Sequence, residues 1–242
     1  MRGWFTLAGI LAAIAAVPAF AQAGGESRIP TWKQSYLVEG TFDSRVLRAI
    51  GFCAVDGRRP IVEKLLATRA YSDQEAEAFD ELFKPPLHEC LAGDWSFRVN
   101  VGPVIRGVVA EYLYKKRGWR PRADALAPPP DFESWAAANV ALPAFASPKI
   151  RDLVFGSWVA RCIVARNPRK AHQLVNFESG SPGETRSLAA LRPDFLACVP
   201  EGKSLQVSRR TIRYAIAEAL YHASQAEADR VGQRTAALEA AE

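Results

Sequence analysis

The sequence predicts an all-α protein made of two tandem copies of a small disulfide-stapled helical module, joined by a Pro-rich packed strap. Three observations lead there. Apolar residues recur at helical spacing along most of the chain. Two stretches, offset by 109 to 107 positions, carry the same residues in the same order. All four Cys fall at matched places within those stretches.

Composition allows such a fold and excludes others. The chain has 242 residues, 49% hydrophobic and 24% charged. It is long and apolar enough to bury a sizeable core, and too apolar for disorder throughout. Four Cys are too few for a disulfide-dense mini-protein.

Residues 1–23 read as a Sec-type signal peptide. Arg2 precedes the apolar run Leu7 to Val17, and Pro18 introduces small residues, with cleavage expected near Ala21 or Ala23. The apolar core is short for a spanning helix of ~20 residues. No later run approaches that length, and no Cys at the cleavage region suggests a lipidated N-terminus. The expected location is the periplasm or outside the cell, with no transmembrane segment after cleavage. Removing Arg2 leaves 30 basic against 26 acidic side chains, a net of +4. This mild excess is spread out rather than gathered into the stripe a nucleic-acid binder presents.

Residues 24–44 form an N-terminal extension in which Trp32 and Tyr36 are expected to pack. The first unit spans 45–116. Val46, Leu47, Ile50, Cys53 and Ala54 lie at i, i+3, i+4 spacing behind Ser44, a suitable N-cap. Pro60 opens a second short helix through Leu66. Ser72 and Glu75 form a capping-box pattern ahead of Ala76, Phe79, Leu82 and Phe83. Pro85-Pro86 ends that helix, a short segment delivers Cys90, and residues 103–116 form the last helix. Residues 97–101 and 205–207 alternate apolar and polar residues, as short extended pieces do.

The connector 117–148 contains six Pro, yet it also carries Trp119, Phe132, Trp135 and Phe145, which are costly to expose together. It is expected to pack across both units, with Asp131 capping a short helix through Ala138. The second unit, 149–223, repeats the plan with helices at 150–165, from Pro168, at 184–191 and at 209–224. The Ala-rich tail 224–242 reads as a frayed helix or disorder.

Four Cys allow three connectivities, and the duplication favours Cys53–Cys90 with Cys162–Cys198. An exported chain meets an oxidising compartment. Zinc ligation is disfavoured because no C-x-x-C spacing occurs. A catalytic thiol in His88-Glu89-Cys90 is disfavoured because the matched Cys198 lacks the His.

The two units match best in their last helices, as I-R-x-x-[VI]-A-E-x-L-Y. The apolar face of the first is Ile105, Val108, Val109, Tyr112 and Leu113. Arg106, Glu111 and Tyr114 lie off that face, and their matches are Arg213, Glu218 and Tyr221. A merely solvated face has no reason to keep these types twice while its neighbours change. Lys115 pairs with His222, and Tyr112 with Ala219. Either the matched set fixes helix packing through buried hydrogen bonds, or it lines a polar groove between the units in which Arg106 and Arg213 hold an anionic ligand.

No other chemistry is marked out. His88, His172 and His222 are scattered. No metalloprotease, nucleophile-elbow or phosphate-loop motif occurs, and residues 179–183 are Gly-rich without the Lys of a phosphate cradle. No carboxylate pair stands out, and no catalytic residue, metal or cofactor is assigned.

The pattern C-[AI]-V…P…S-x-x-E…L…P…C-[LV]…I-R-x-x-[VI]-A-E-x-L-Y, present twice behind a leader, resembles uncharacterised exported proteins of sphingomonad-type alphaproteobacteria. The resemblance covers both units. It implies a Gram-negative envelope as the setting and carries no activity. The reading is therefore a non-enzymatic exported helical protein that binds or scaffolds in the envelope, its partner an envelope protein or a small anionic ligand. The alternative is a periplasmic enzyme with a polar site between the units.

Overall fold

A computed structural model of the protein describes residues 44–84, 102–121, 127–142 and 146–239. Among these residues every regular element is helical, and the one β-type contact is an isolated parallel bridge between Ala70 and Val140. The N-terminal half consists of α1 (Ser44–Ala67), α2 (Asp73–Leu82) and α3 (Gly102–Arg117). The connector contributes α4 (Phe132–Asn139). The C-terminal half consists of α5 (Pro148–Arg166), α6 (Pro168–Asn176), α7 (Pro182–Ala190), α8 (Arg192–Cys198) and α9 (Arg209–Glu239).

The local signals act as their chemistry dictates. Within α1 the backbone leaves helical geometry at Arg58 (φ −140°, ψ 36°), two residues before Pro60, whose ring forbids an unbroken helix. At the corresponding place in the other half, Asn167 (φ −145°, ψ 67°) separates α5 from α6, which begins at Pro168. Ser72 caps α2 by accepting from the Glu75 amide at 3.1 Å, and Ser181 caps α7 by accepting from the Glu184 amide at 3.1 Å. Asp131 and Ser147 cap α4 and α5 in the same way, and Ser208 accepts from the Thr211 amide at the start of α9.

Helices α3 and α9 form the centre; α1 packs against α3 and α2 against α1, while α5 and α6 pack against α9. One apolar cluster runs through both halves, from Leu47, Ile50 and Leu65 to Ile163, Leu174 and Leu220. The helices α3 and α9 approach closely at Gly107. A Cβ there would come 2.6 Å from the carbonyl oxygen of Tyr214 and closer still to its side chain, so only Gly fits. Gly107 and Tyr214 occupy matched sequence positions, so these helices cross where each presents the same register.

The connector packs across both halves. Trp135 is buried in a second apolar cluster with Tyr71, Val140, Ile150 and Val154. Phe132 meets Phe155 and Trp158 edge-on, and Trp158 Nε1 donates to Pro130 O at 2.8 Å. The Ala70 amide donates to Asn139 O, and the Ala141 amide to Ala70 O. Arg69 adds donations to Ala137 O and Val140 O.

A disulfide joins Cys162 in α5 to Cys198 at the end of α8. Cys53 is not a free thiol; its expected partner Cys90 lies outside the described residues. So do the expected leader, the N-terminal extension, residues 97–101 and Phe145. Residues 205–207 are irregular, and Val207 and Leu205 pack over Gly156. The tail is helical as far as Glu239, and Trp119 Nε1 donates to Glu227 Oε2 at 2.7 Å near its root. No helix among the described residues is long and apolar enough to cross a membrane.

Candidate functional site

The matched polar residues of α3 and α9 turn toward each other across the molecule. Arg213 Nε and Nη2 donate to the two carboxylate oxygens of Glu111, at 3.1 and 2.8 Å. Arg106 Nε and Nη2 donate to Glu218 Oε1, at 3.0 and 2.8 Å. Each arginine thus takes a carboxylate from the other half.

Within its own half each guanidinium binds a second carboxylate and a helix end. Arg106 Nη1 donates to Glu75 Oε1 at 3.0 Å and to Leu65 O at 2.8 Å, and Nη2 reaches Leu66 O. Arg213 Nη1 donates to Glu184 Oε1 and to Leu174 O, both at 3.0 Å, and Nη2 reaches Val175 O and Phe177 O. The carbonyls belong to the last turns of α1 and α6 and, for Phe177, to the residue just after α6, where i+4 donors run out and only looser bonds such as Thr68 N to Leu65 O and Phe177 N to Leu174 O remain. The other oxygen of Glu75 accepts the Tyr71 amide at 2.6 Å, and that of Glu184 accepts the Gly180 amide at 2.6 Å. The amide of residue 180, within the Gly-rich stretch 179–183, is therefore bound by the chain's own carboxylate.

These groups are internal. Arg213 is 1% exposed and Arg106 4%. Every nitrogen of Arg213 is engaged by the protein, which leaves it no N–H for a ligand. Tyr114 and Tyr221 are also buried. The Tyr114 hydroxyl shares a 2.6 Å hydrogen bond with His172 Nδ1, and burial pushes its pKa up. The Tyr221 hydroxyl accepts from Gln225 Nε2. The sequence shows Glu75 and Glu184 as matched caps; their second task, neutralising the arginines, depends on contacts between distant segments.

A depression lies beside each arginine. Beside Arg213 it has a volume of about 300 Å³, with Val108, Tyr112, Lys115 and Tyr214 in its wall. Beside Arg106 it is about 380 Å³, with Ala215, Ala219 and His222 at the matched places. Tyr112 lies over Gly51, where any Cβ would come 2.5 Å from its ring. The larger cavity is enclosed by the end of α1, by α4, by α5 and by α9.

No protein-family model, curated protein or solved structure matches the chain. The chemistry of the site therefore rests on its own residues.

The α5 wall of the larger cavity supplies Arg161, and the connector supplies Trp135. The Arg161 guanidinium lies 5.6 Å from the centroid of the Trp135 ring, a cation–π arrangement. Among the described residues it has no hydrogen-bonded or ion-paired carboxylate. Burial, the largest influence, lowers its pKa, as does Arg106, while Glu218 raises it. Trp135 is 6% exposed, and its Nε1–H has no acceptor among the described residues.

Glu218 and His222 stand opposite, with His222 Nε2 3.6 Å from Glu218 Oε1. Burial alone would raise the Glu218 carboxyl, but Arg106 and His222 hold it well below the usual carboxylate range. Burial, the largest influence, lowers His222, which stays neutral at pH 7 despite Glu218. At the cavity edge Tyr71 adopts a left-handed backbone (φ 65°), where the matched position in the other half is Gly180 (φ 81°). A non-Gly residue pays a local strain there, of the kind that clusters at binding sites. Arg161 and Tyr71 carry no motif. Their only sequence signal is a mismatch, because Arg161 aligns with Phe52 and Tyr71 with Gly180. Among the described residues no group of His, Cys, Asp or Glu is arranged to hold a metal ion.

Proposed function

We propose that the protein is an exported, non-enzymatic binding protein of the cell envelope, built from two copies of one helical unit, whose ligand site is the cavity beside Arg106. The observation that carries the reading is the asymmetry of the two depressions. One is narrowed by Tyr112 and Tyr214; the other has Ala219 in the place of Tyr112 and gains a wall from the connector. A volume of about 380 Å³ falls at the small end of ligand pockets.

Further support comes from how the acids are used. Glu75 and Glu218 both serve Arg106, and Glu218 is held ionised, which suits neither to donate a proton. The Ser157 hydroxyl donates to Leu153 O rather than to a base. Such a site favours binding over catalysis. The duplication is supported by the two arginine networks, whose acceptors within each half are 109 positions apart and whose arginines and cross-half glutamates are 107 apart. Export is supported by the leader pattern and by the Cys162–Cys198 disulfide.

The test is an amide-resolved NMR titration of the oxidised protein with the small-molecule fraction of an envelope extract. Shifts clustered on Val140, Val154, Ala215 and Ala219, and abolished in Ala219→Tyr, are expected. An unchanged spectrum would discard the reading. N-terminal sequencing of exported material tests the leader, with Gln22 or Gly24 expected first.

A further inference from the structure

We infer that the cavity takes a small organic monoanion, a carboxylate with an apolar body, whose charged end meets Arg161 and the indole N–H of Trp135. The inference rests on the binding reading above and specifies the ligand class.

Charge sets the valence. The cavity is bordered by three guanidiniums, of Arg69, Arg106 and Arg161, and by two carboxylates, of Glu75 and Glu218. Arg106 ion-pairs with both carboxylates. Arg69 is committed to the carbonyls of Ala137 and Val140 at the rim. His222 is neutral at pH 7. The five groups therefore carry a net charge of one positive unit, and of the two guanidiniums outside the Arg106 pairs only Arg161 has no hydrogen-bonded acceptor among the described residues. A single negative charge balances it; a doubly charged ligand would confront Glu218 and Glu75 without further compensation.

Two donors ask for the same kind of acceptor. A partly buried guanidinium without a carboxylate, and a buried indole N–H without an acceptor, both carry a desolvation cost that an oxyanion relieves. They are neighbours, because the guanidinium lies over the indole ring. A planar carboxylate offers lone pairs enough for both. Part of the remaining wall, formed by Leu66, Val140, Val154 and Ala219, is apolar and suits a hydrocarbon or aromatic body.

The experiment follows the indole Nε1–H resonance of Trp135, assigned with Trp135→Phe, while the oxidised protein is titrated with acetate, hexanoate, benzoate, benzamide and inorganic phosphate at millimolar concentration. Hexanoate or benzoate is expected to move the resonance saturably, whereas benzamide, the neutral analogue of benzoate, is not. Arg161→Gln is expected to weaken that binding by about tenfold or more, as loss of one charge-assisted pair does. Arg161 makes no hydrogen bond within the described residues, so the melting temperature of this variant should stay within a few degrees of wild type. Trp135→Phe keeps the ring, and calorimetry of this variant should show a smaller loss.

Equal response to benzoate and benzamide would overturn the inference, as would unchanged affinity in Arg161→Gln. A response to none of the five probes, alongside cavity shifts with the envelope extract, would remove the monoanion and leave the binding reading standing. Silence toward both probes and extract would remove both.

Discussion

Arg213 and Glu111 meet through two hydrogen bonds, at 3.1 and 2.8 Å, inside the protein and 102 positions apart in the chain. The guanidinium is 1% exposed and also binds Glu184. A buried charge held this way gives little net stability over an apolar replacement of the whole cluster, yet its removal alone is costly. Arg213→Met should therefore destabilise the protein by about 3–5 kcal/mol, because Glu111 and Glu184 lose their shared cation. Urea unfolding measures this; a loss below about 1 kcal/mol would show that the carboxylates are resolvated in the folded state.

Gly107 is set by the approach of α9. In Gly107→Ala a methyl must displace the backbone of Tyr214, so the central helix pair separates. A loss of about 1–3 kcal/mol is expected, as for other overpacked contacts. The same change at Gly57, where a Cβ meets nothing within 4 Å, should cost nothing or stabilise the helix slightly. Equal effects at the two sites would rule out close packing as the cause.

The Cys162–Cys198 bridge closes a loop of 36 positions. Loop entropy assigns it about 4 kcal/mol. Cys162→Ala with Cys198→Ala should lower the urea midpoint accordingly, with Arg213 still engaged. A midpoint unchanged under oxidising conditions would mean that the bridge constrains nothing the unfolded chain explores.

Acid should weaken the fold through Glu218. Its folded pKa lies below the ordinary Glu value of ~4.3, so the unfolded chain takes up the proton first. The stability it supplies is complete above that ordinary value and declines as the pH drops below it. His222 is also lowered in the folded state, so its protonation opposes folding as the pH falls below ~6.5. Melting temperatures recorded from about pH 7 to pH 3 should fall, and Glu218→Gln should start lower and fall less. Parallel curves would show that Glu218 is not the group that titrates.

The exposed end of α9 should be dispensable. Residues 228–237 are solvent-exposed, whereas Glu227 accepts from Trp119 and Tyr221 is buried. A chain ending at Ala228 should melt within a few degrees of the full protein. A chain ending at Ser224 should melt lower, since Trp119 loses its acceptor and Tyr221 loses Gln225.

The sequence showed most of what is local and little of what is distant. Ser72, Asp131, Pro60 and Pro168 announce helix starts because capping and ring closure act within four residues. The matched Arg, Glu and Tyr of α3 and α9 stood out because they recur off the apolar face. Their cross-pairing was not legible, since Arg106 and Glu218 lie 112 positions apart and meet only when α3 crosses α9. Arg161 was hidden for a different reason. It lies on a helix whose apolar spacing already explains α5, and only the connector folding over it makes its charge conspicuous.

The exchange of carboxylates between the halves also sets an order of events. When Arg106 and Glu111 leave the ribosome, Glu218 and Arg213 have yet to be made. An early collapse of α1, α2 and α3 would bring Arg106 to Glu75 and Glu111 to Lys115 but leave the contacts with Glu218 and Arg213 unmade. The N-terminal half thus holds its own pairs from the start, and its set of buried charges is completed only when α9 arrives.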